Sequence, residues 1–277
     1  METRYLPNHT GIARFTTEEL RSAFVFENLF KKNEISLTYL DTDRAIIGSA
    51  VPADKPLKLE SSKKEMAADY FCERREVGVI NIGNSGSVLV DGKEYPLQNK
   101  ELLYISRGSK DIFFSSKDSS APALFYIISY PAHKEYPTVH MTAGNADSRQ
   151  LGTQAQANVR KLSRYIHPDG VKSCQLVMGF TELAEGSVWN TMPPHTHRRR
   201  SEIYLYFDMK DDNIVVHLMG DPRATRNVIM RNRQAVVSPA WSIHSAAGTS
   251  NYSFVWAMGG ENQAFDDMDA VSMSEIR

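Results

Sequence analysis

Two cysteines, Cys72 and Cys174, are all that 277 residues contain, which excludes a disulfide framework. Both sit in apolar surroundings and are expected to be reduced, buried small residues. An excess of one charge is missing too: 32 Lys and Arg face 33 Asp and Glu, for a net charge of −1. That balance argues against a nucleic-acid binder relying on a global positive field. No apolar run approaches the roughly 18 residues a membrane-spanning helix needs. Nor does Met1-Glu2-Thr3-Arg4-Tyr5 lead into a secretory-type apolar core, so a cytoplasmic protein without a membrane partner is expected. What remains is ordinary for a globular chain, 42% apolar and 23% charged. The length suffices for one large domain or two small ones, each with a sizeable core.

The only clear helix signal is Thr16-Thr17-Glu18-Glu19-Leu20-Arg21, where Thr16 can cap and Glu19 can reach back. A helix from about Thr17 to Asn28 follows, expected to pack on a first barrel or a partner subunit. From Glu34 onward, short apolar or alternating runs bounded by turn residues read as strands, beginning with Ile35–Leu40 and Arg44–Val51. Gly86–Val90 and Lys93–Leu97 flank Asp91-Gly92, a hairpin signal. Leu102–Ile105, Ile112–Phe114 and Leu124–Tyr130 close a first β-domain. Residues 141–158, rich in Pro, Ala, Thr, Gln and Gly over a slightly wider span, read as a linker across the surface, with His133 and His140 exposed near it. Arg160–Ile166, Cys174–Leu183, Ser201–Phe207, Ile214–Met219, Asn227–Met230, Ala235–Ser238 and Phe254–Met258 supply the strands of a second β-domain.

Within that second half, His195 and His197 are two residues apart, so in a strand both imidazoles face one way. Arg198–Ser201 allows a turn or bulge before a strand in which Glu202, Tyr204 and Tyr206 share one face. Much later comes His244, after Pro239. Three imidazoles and one carboxylate form a borderline donor set suited to zinc, iron, manganese, nickel or cobalt, and no cysteine joins them. His195, His197, Glu202 and His244 are therefore the candidate metal ligands. Trp189 and Met192, leading into the pair, are expected to fill core, and His217 aligns with no ligand position. Aligning Glu76 with Glu202 sets Asp69 and Phe71 against His195 and His197, suggesting a duplication whose first copy keeps the scaffold without the ligands.

The two-part pattern His-x-His, Glu, then Pro-x-x-x-x-His resembles the metal signature of the cupin superfamily, with Trp241 where many cupins carry glycine. Thr191–His197 running into Glu202–Phe207, Pro239–Ser245, Gly260–Asp269 and Arg74–Gly83 are together similar to the 5-keto-4-deoxyuronate isomerase family, a likeness covering nearly the whole chain. The resemblance implies an all-β fold of two tandem cupin-type jelly-roll barrels with a short N-terminal helix: a degenerate barrel over 1–140 without metal ligands, the 141–158 linker, and a metal-binding barrel over 159–277. It also implies an aldose–ketose isomerase of pectin breakdown that converts 5-dehydro-4-deoxy-D-glucuronate into 3-deoxy-D-glycero-2,5-hexodiulosonate. One divalent ion per subunit, Zn2+, and a homohexamer go with it.

Four protein ligands leave a six-coordinate ion two open positions, enough to hold a carbonyl and its neighbouring hydroxyl and to acidify the proton on the α-carbon. No residue is assigned as the proton-carrying base; Tyr206 and Glu261 are the candidates. A uronate carboxylate needs a cation, and Arg199, Arg200, Arg160 and Arg164 are the candidates for a bidentate guanidinium. The acidic segment Glu261–Asp269 is expected to cover an edge or a subunit contact. Other classes fit the same ligands: another cupin sugar-acid isomerase such as one acting on 5-deoxyglucuronate, an iron-dependent oxygenase, or a non-catalytic sugar-acid binding module.

Overall fold

Short alternating runs broken by turns build strands almost throughout the computed structural model, which describes residues 1–264 and 266–277. Phe265, inside the acidic segment singled out above, lies outside the described residues. The chain is all-β and forms two cupin-type barrels, each a seven-stranded sheet facing a four-stranded one.

The first unit comprises Met1–Arg4, Asn28–Ala146 and Tyr165–Val177. Its larger sheet runs, in spatial order, Glu2–Arg4, Ile35–Leu40, Ile46–Ala50, Phe125–Pro131, Arg75–Asn81, Leu102–Ile105 and Val139–Met141. The smaller sheet holds Leu57–Lys58, Ile112–Ser116, Gly86–Val90 and Lys93–Leu97. Asp91 (φ 48°) and Gly92 (φ 83°) both take positive φ in the hairpin, the pairing a two-residue primed turn requires. Between the sheets, Val77, Val79, Leu103, Ile105, Phe125 and Ile127 meet Val88, Val90, Ile112 and Phe114 in a closed apolar core.

The second unit comprises Tyr5–Glu27, Asp147–Arg164 and Met178–Arg277. Its larger sheet repeats the same order with Asp147–Leu151, Arg160–Ile166, Val177–Leu183, Ser253–Gly260, Arg200–Phe207, Ala235–Ser238 and Val25–Phe26. Trp189–Asn190, Ser245–Gly248, Val215–Asp221 and Ala224–Met230 form the opposing sheet. The matching strand orders are what a duplicated domain produces.

Several expectations need correcting. The helix spans Thr17–Phe24 and not Thr17–Asn28, because Val25 and Phe26 extend and pair with Val236 and Ala235 at a sheet edge, where β-branched and aromatic residues fit better than in a helix. Its capping box is present, and buried Leu20 and Phe24 place it on the second unit, with Phe24 edge-on to Trp241 at 6.2 Å, not on the first barrel. Inside the 141–158 segment, Asp147–Leu151 is a strand paired with Arg160–Arg164. His140 is half-buried and bonded to Glu101 at 2.9 Å. Cys174 is only partly buried, its thiol donating to the Lys134 carbonyl at 3.3 Å, whereas Cys72 is fully enclosed and burial pushes its thiol up.

The alignment of Glu76 with Glu202 is one residue out. Arg75 pairs with Pro131 and Val77 with Ile105, at the sheet positions where Arg200 pairs with Gly260 and Glu202 with Ser238. Val77 is therefore the counterpart of Glu202 and points into the core. Because strand side chains alternate, Glu76 faces the other side. There its carboxylate accepts from the Tyr104 hydroxyl and from the backbone N–H groups of Cys174, Gln175 and Leu176, at 2.7 to 2.9 Å.

Candidate metal centre

Three segments bring the donor atoms together in the second barrel. Glu202 lies on the inward face of Arg200–Phe207, a strand buried along its whole length. His195 starts a two-residue strand whose partner is Asp269–Ala270, so the acidic segment covers the edge of the histidine strand. His197 follows after one residue. His244 immediately precedes Ser245–Gly248, after a tight turn in which the Ser242 N–H donates to the Pro239 carbonyl and Ser242 Oγ accepts from the Gly220 N–H.

The atoms that converge are His195 Nε2, His197 Nε2, His244 Nε2 and Glu202 Oε2. They form a ring with edges of 3.1 Å (His195–His197), 3.0 Å (His195–His244), 3.0 Å (His197–Glu202) and 2.9 Å (His244–Glu202). One ligand atom from each of the four residues lies within 4.8 Å of the others. Lone pairs of neutral imidazoles repel at such separations unless a cation sits among them. Adjacent ligands around a six-coordinate ion with bonds of about 2.1 Å stand about 3.0 Å apart, against about 3.4 Å in a tetrahedron. The donor set and its spacing thus fit a borderline divalent ion with room for further ligands.

Protonation supports the same use. His197 Nδ1 lies 2.8 Å from the Asp267 carbonyl oxygen, which can only accept, so Nδ1 carries the hydrogen and Nε2 offers its lone pair. Burial, reinforced by His244, pushes His195 down to about 3 and keeps it neutral. For Glu202, burial works against the charge, but His244 and His197 outweigh it and hold the carboxyl well below the usual carboxylate range.

Beside the cluster opens a cavity of about 330 Å3, whose lining includes His195, His197, Glu202, Tyr204, Trp256 and Arg160. Gly179 shapes this wall: a Cβ there would stand 2.3 Å from the Ser163 carbonyl and 2.4 Å from the Trp256 ring. Met192, expected as core, lines the cavity instead, because the turn before His195 exposes it on that side. Tyr204, on the Glu202 face by strand parity, lines the cavity too. Its hydroxyl lies 3.2 Å from that of Thr191, and burial holds it protonated, so at neutral pH it can donate but not abstract.

The remaining candidates separate clearly. Tyr206 is fully buried with its hydroxyl 2.7 Å from His217 Nδ1, and neither it nor Glu261 lines the cavity. Arg199 is bound through Nε to both Asp267 oxygens at 2.8 and 2.9 Å, and Arg164 is ion-paired with Asp147. Arg200, 1% exposed, reaches the cavity wall but donates to the Ala264 carbonyl at 2.7 Å. Arg160 lines the cavity with one bond, from Nη1 to the Asn158 carbonyl at 2.8 Å. Asp267, which no sequence pattern singled out for a role, orients His197 and anchors Arg199 at once.

Comparison with known proteins gives the chain a family. The chain is 52% identical over 277 residues to a 4-deoxy-L-threo-5-hexosulose-uronate ketol-isomerase of Lachnoclostridium phytofermentans, and 50% identical to one of Caldicellulosiruptor bescii. Both alignments cover the whole of each chain. Among solved structures, an IolB-like protein of Salmonella typhimurium superposes with a TM-score of 0.73 at 11% identity, over 90% of this chain and 96% of that one. AerE of Microcystis aeruginosa reaches 0.56 at 10% identity, over 86% and 99%. At such identities these likenesses speak for the fold alone. Residues 26–273 match the KduI/IolB family, and the chain belongs to it.

Proposed function

We propose that this protein is a metal-dependent ketol-isomerase that converts 5-dehydro-4-deoxy-D-glucuronate into 3-deoxy-D-glycero-2,5-hexodiulosonate. The observation that carries the reading is the ring of four donor atoms beside a cavity, in a chain half identical along its full length to proteins of that name. His195, His197, Glu202 and His244 would hold the ion, with zinc the metal proposed. A bound divalent ion supplies a Lewis acid that draws electrons from a carbonyl and its neighbouring hydroxyl. The chain's own residues do the rest. Asp267 fixes the His197 tautomer through its carbonyl. Trp256, Met258 and Phe254 make one wall apolar and so keep water from the substrate. The Tyr204 hydroxyl stands ready to donate a hydrogen bond to a substrate oxygen. A homo-oligomer, taken as a hexamer, and a cytoplasmic location complete the proposal, the latter supported by two unpaired cysteines.

The test is metal analysis of the purified protein together with an anaerobic assay of the ketouronate followed by NMR. One equivalent of zinc per chain and conversion without oxygen are expected. His197→Ala should lose both the ion and at least 10³-fold of the turnover, in line with removing a Lewis acid worth several kcal/mol. Full activity in a metal-free His197→Ala protein would sink the mechanism, and oxygen uptake during turnover would replace the isomerase by an oxygenase. Light scattering of the same sample reads the subunit count.

A further inference from the structure

We infer that Arg160 is the residue that receives the substrate's carboxylate and so makes the site selective for sugar acids over neutral sugars; this rests on the isomerase reading. Five arginines stand near the candidate site in sequence or space, and four are already engaged, Arg198 with Asp269 at 3.7 Å. Arg199 is held by Asp267, Arg164 by Asp147, and Arg200 is buried against backbone carbonyl oxygens. Arg160 has no ion pair among the described residues; its single hydrogen bond goes to the Asn158 carbonyl, leaving most of its donor fork unused. It is half-buried, and burial weighs against its charge, so an incoming anion would relieve a cation that the protein leaves uncompensated. Among the described residues that line the cavity, Glu202 carries the only carboxyl group, and it belongs to the candidate metal cluster.

Placement matches the chemistry. In this substrate the aldehyde and its neighbouring hydroxyl lie at one end of a six-carbon chain and the carboxylate at the other. Arg160 sits on a strand three places from the Glu202 strand in the larger sheet, with the Thr181 and Trp256 strands between. Three strand spacings come to about 14 Å. The arginine side chain closes part of that gap from one side and the metal ligands close part from the other. A six-carbon chain with bonds of about 1.5 Å spans roughly 6 Å, which suits what is left. Recognition at the far end would aim the reacting carbons at the donor cluster.

The experiment compares metal-loaded wild type, Arg160→Met and Arg160→Lys with the ketouronate and with its analogue in which the carboxylate is reduced to an alcohol. For Arg160→Met, KM for the acid should rise about a hundredfold, the loss expected when a charge-assisted pair is removed. Bound metal and thermal midpoint should stay at wild-type values, and the preference for acid over alcohol should vanish. Arg160→Lys should fall between the two, and it carries the test alone if the methionine variant does not fold. A wild-type KM for the acid in these variants overturns the assignment while leaving the isomerase reading intact. If wild type itself does not convert the ketouronate, the isomerase reading fails. Calorimetric binding of D-galacturonate then decides on Arg160: weaker binding to Arg160→Met supports it, and equal binding rejects it.

Discussion

His217 shows how the deeper part of the second barrel is tuned. It is fully buried, with Nδ1 against the Tyr206 hydroxyl and no partner for Nε2 among the described residues. Burial, then the neighbouring His244, pushes it down to about 3, against an ordinary value near 6.5. Between those values the unfolded chain binds a proton that the folded chain refuses. Stability from this residue is therefore complete above about pH 6.5 and is lost as the pH falls toward 3. Each proton so linked contributes a slope of about 1.4 kcal/mol per pH unit. His217→Gln keeps a polar partner for Tyr206 but removes the titration. Urea denaturation between pH 4 and 6 should show the unfolding free energy of the variant falling less steeply with acid by about that slope. Parallel curves for the two proteins would mean that His217 is charged in the folded state.

At the scale of strands, one residue of register separates a candidate metal ligand from a structural clamp. Val77 and Glu202 hold the same place in their barrels, so the first barrel has a methyl-bearing side chain where the second has a carboxylate. Glu76, on the opposite face, gathers three backbone N–H groups of 174–176 and the Tyr104 hydroxyl. Glu76→Ala would strand those donors in a buried place, at a cost of about 3 kcal/mol or more. Chemical denaturation should show that loss with metal content unchanged, since every candidate ligand lies in the other unit; unaltered stability would make the clamp incidental. The same strands explain what could be seen in the sequence. His195, His197 and Glu202 were legible because residue type and a period of two are local properties, and His244 because it completes the second part of the resembled signature. The register of Glu76 was not, since a glutamate in each half invites alignment while hydrogen-bond pairing sets the register. Asp147–Leu151 carries no sequence signal because its polar side chains show no alternation; it is an edge strand held by backbone pairing to Arg160–Arg164. The contributions of Arg160 and Asp267 depend on which other charged groups find partners, and that is decided by residues far away in the chain.

Over the whole molecule, neither unit is a continuous piece of chain. Tyr5–Glu27 belongs with Met178–Arg277, and Val25–Phe26 completes the sheet that carries Glu202. Local patterns cannot reveal this, because the partners lie about 200 residues apart and each short segment reads equally well beside its sequence neighbours. The arrangement makes metal removal a sharp probe. An ion that binds the folded second unit and not the unfolded chain adds roughly 4 kcal/mol when present at 1,000 times its dissociation constant. Chelation would withdraw that stabilisation from the unit holding the candidate ligands. Hydrogen exchange followed by mass spectrometry should then show Arg200–Phe207 and Ser253–Gly260 losing protection together with the N-terminal Thr17–Phe26, while Arg75–Asn81 and Phe125–Pro131 keep theirs. Loss spread evenly over both sets would mean that the two barrels open as one cooperative body. Protection unchanged everywhere would mean that the four side chains hold no stabilising ion.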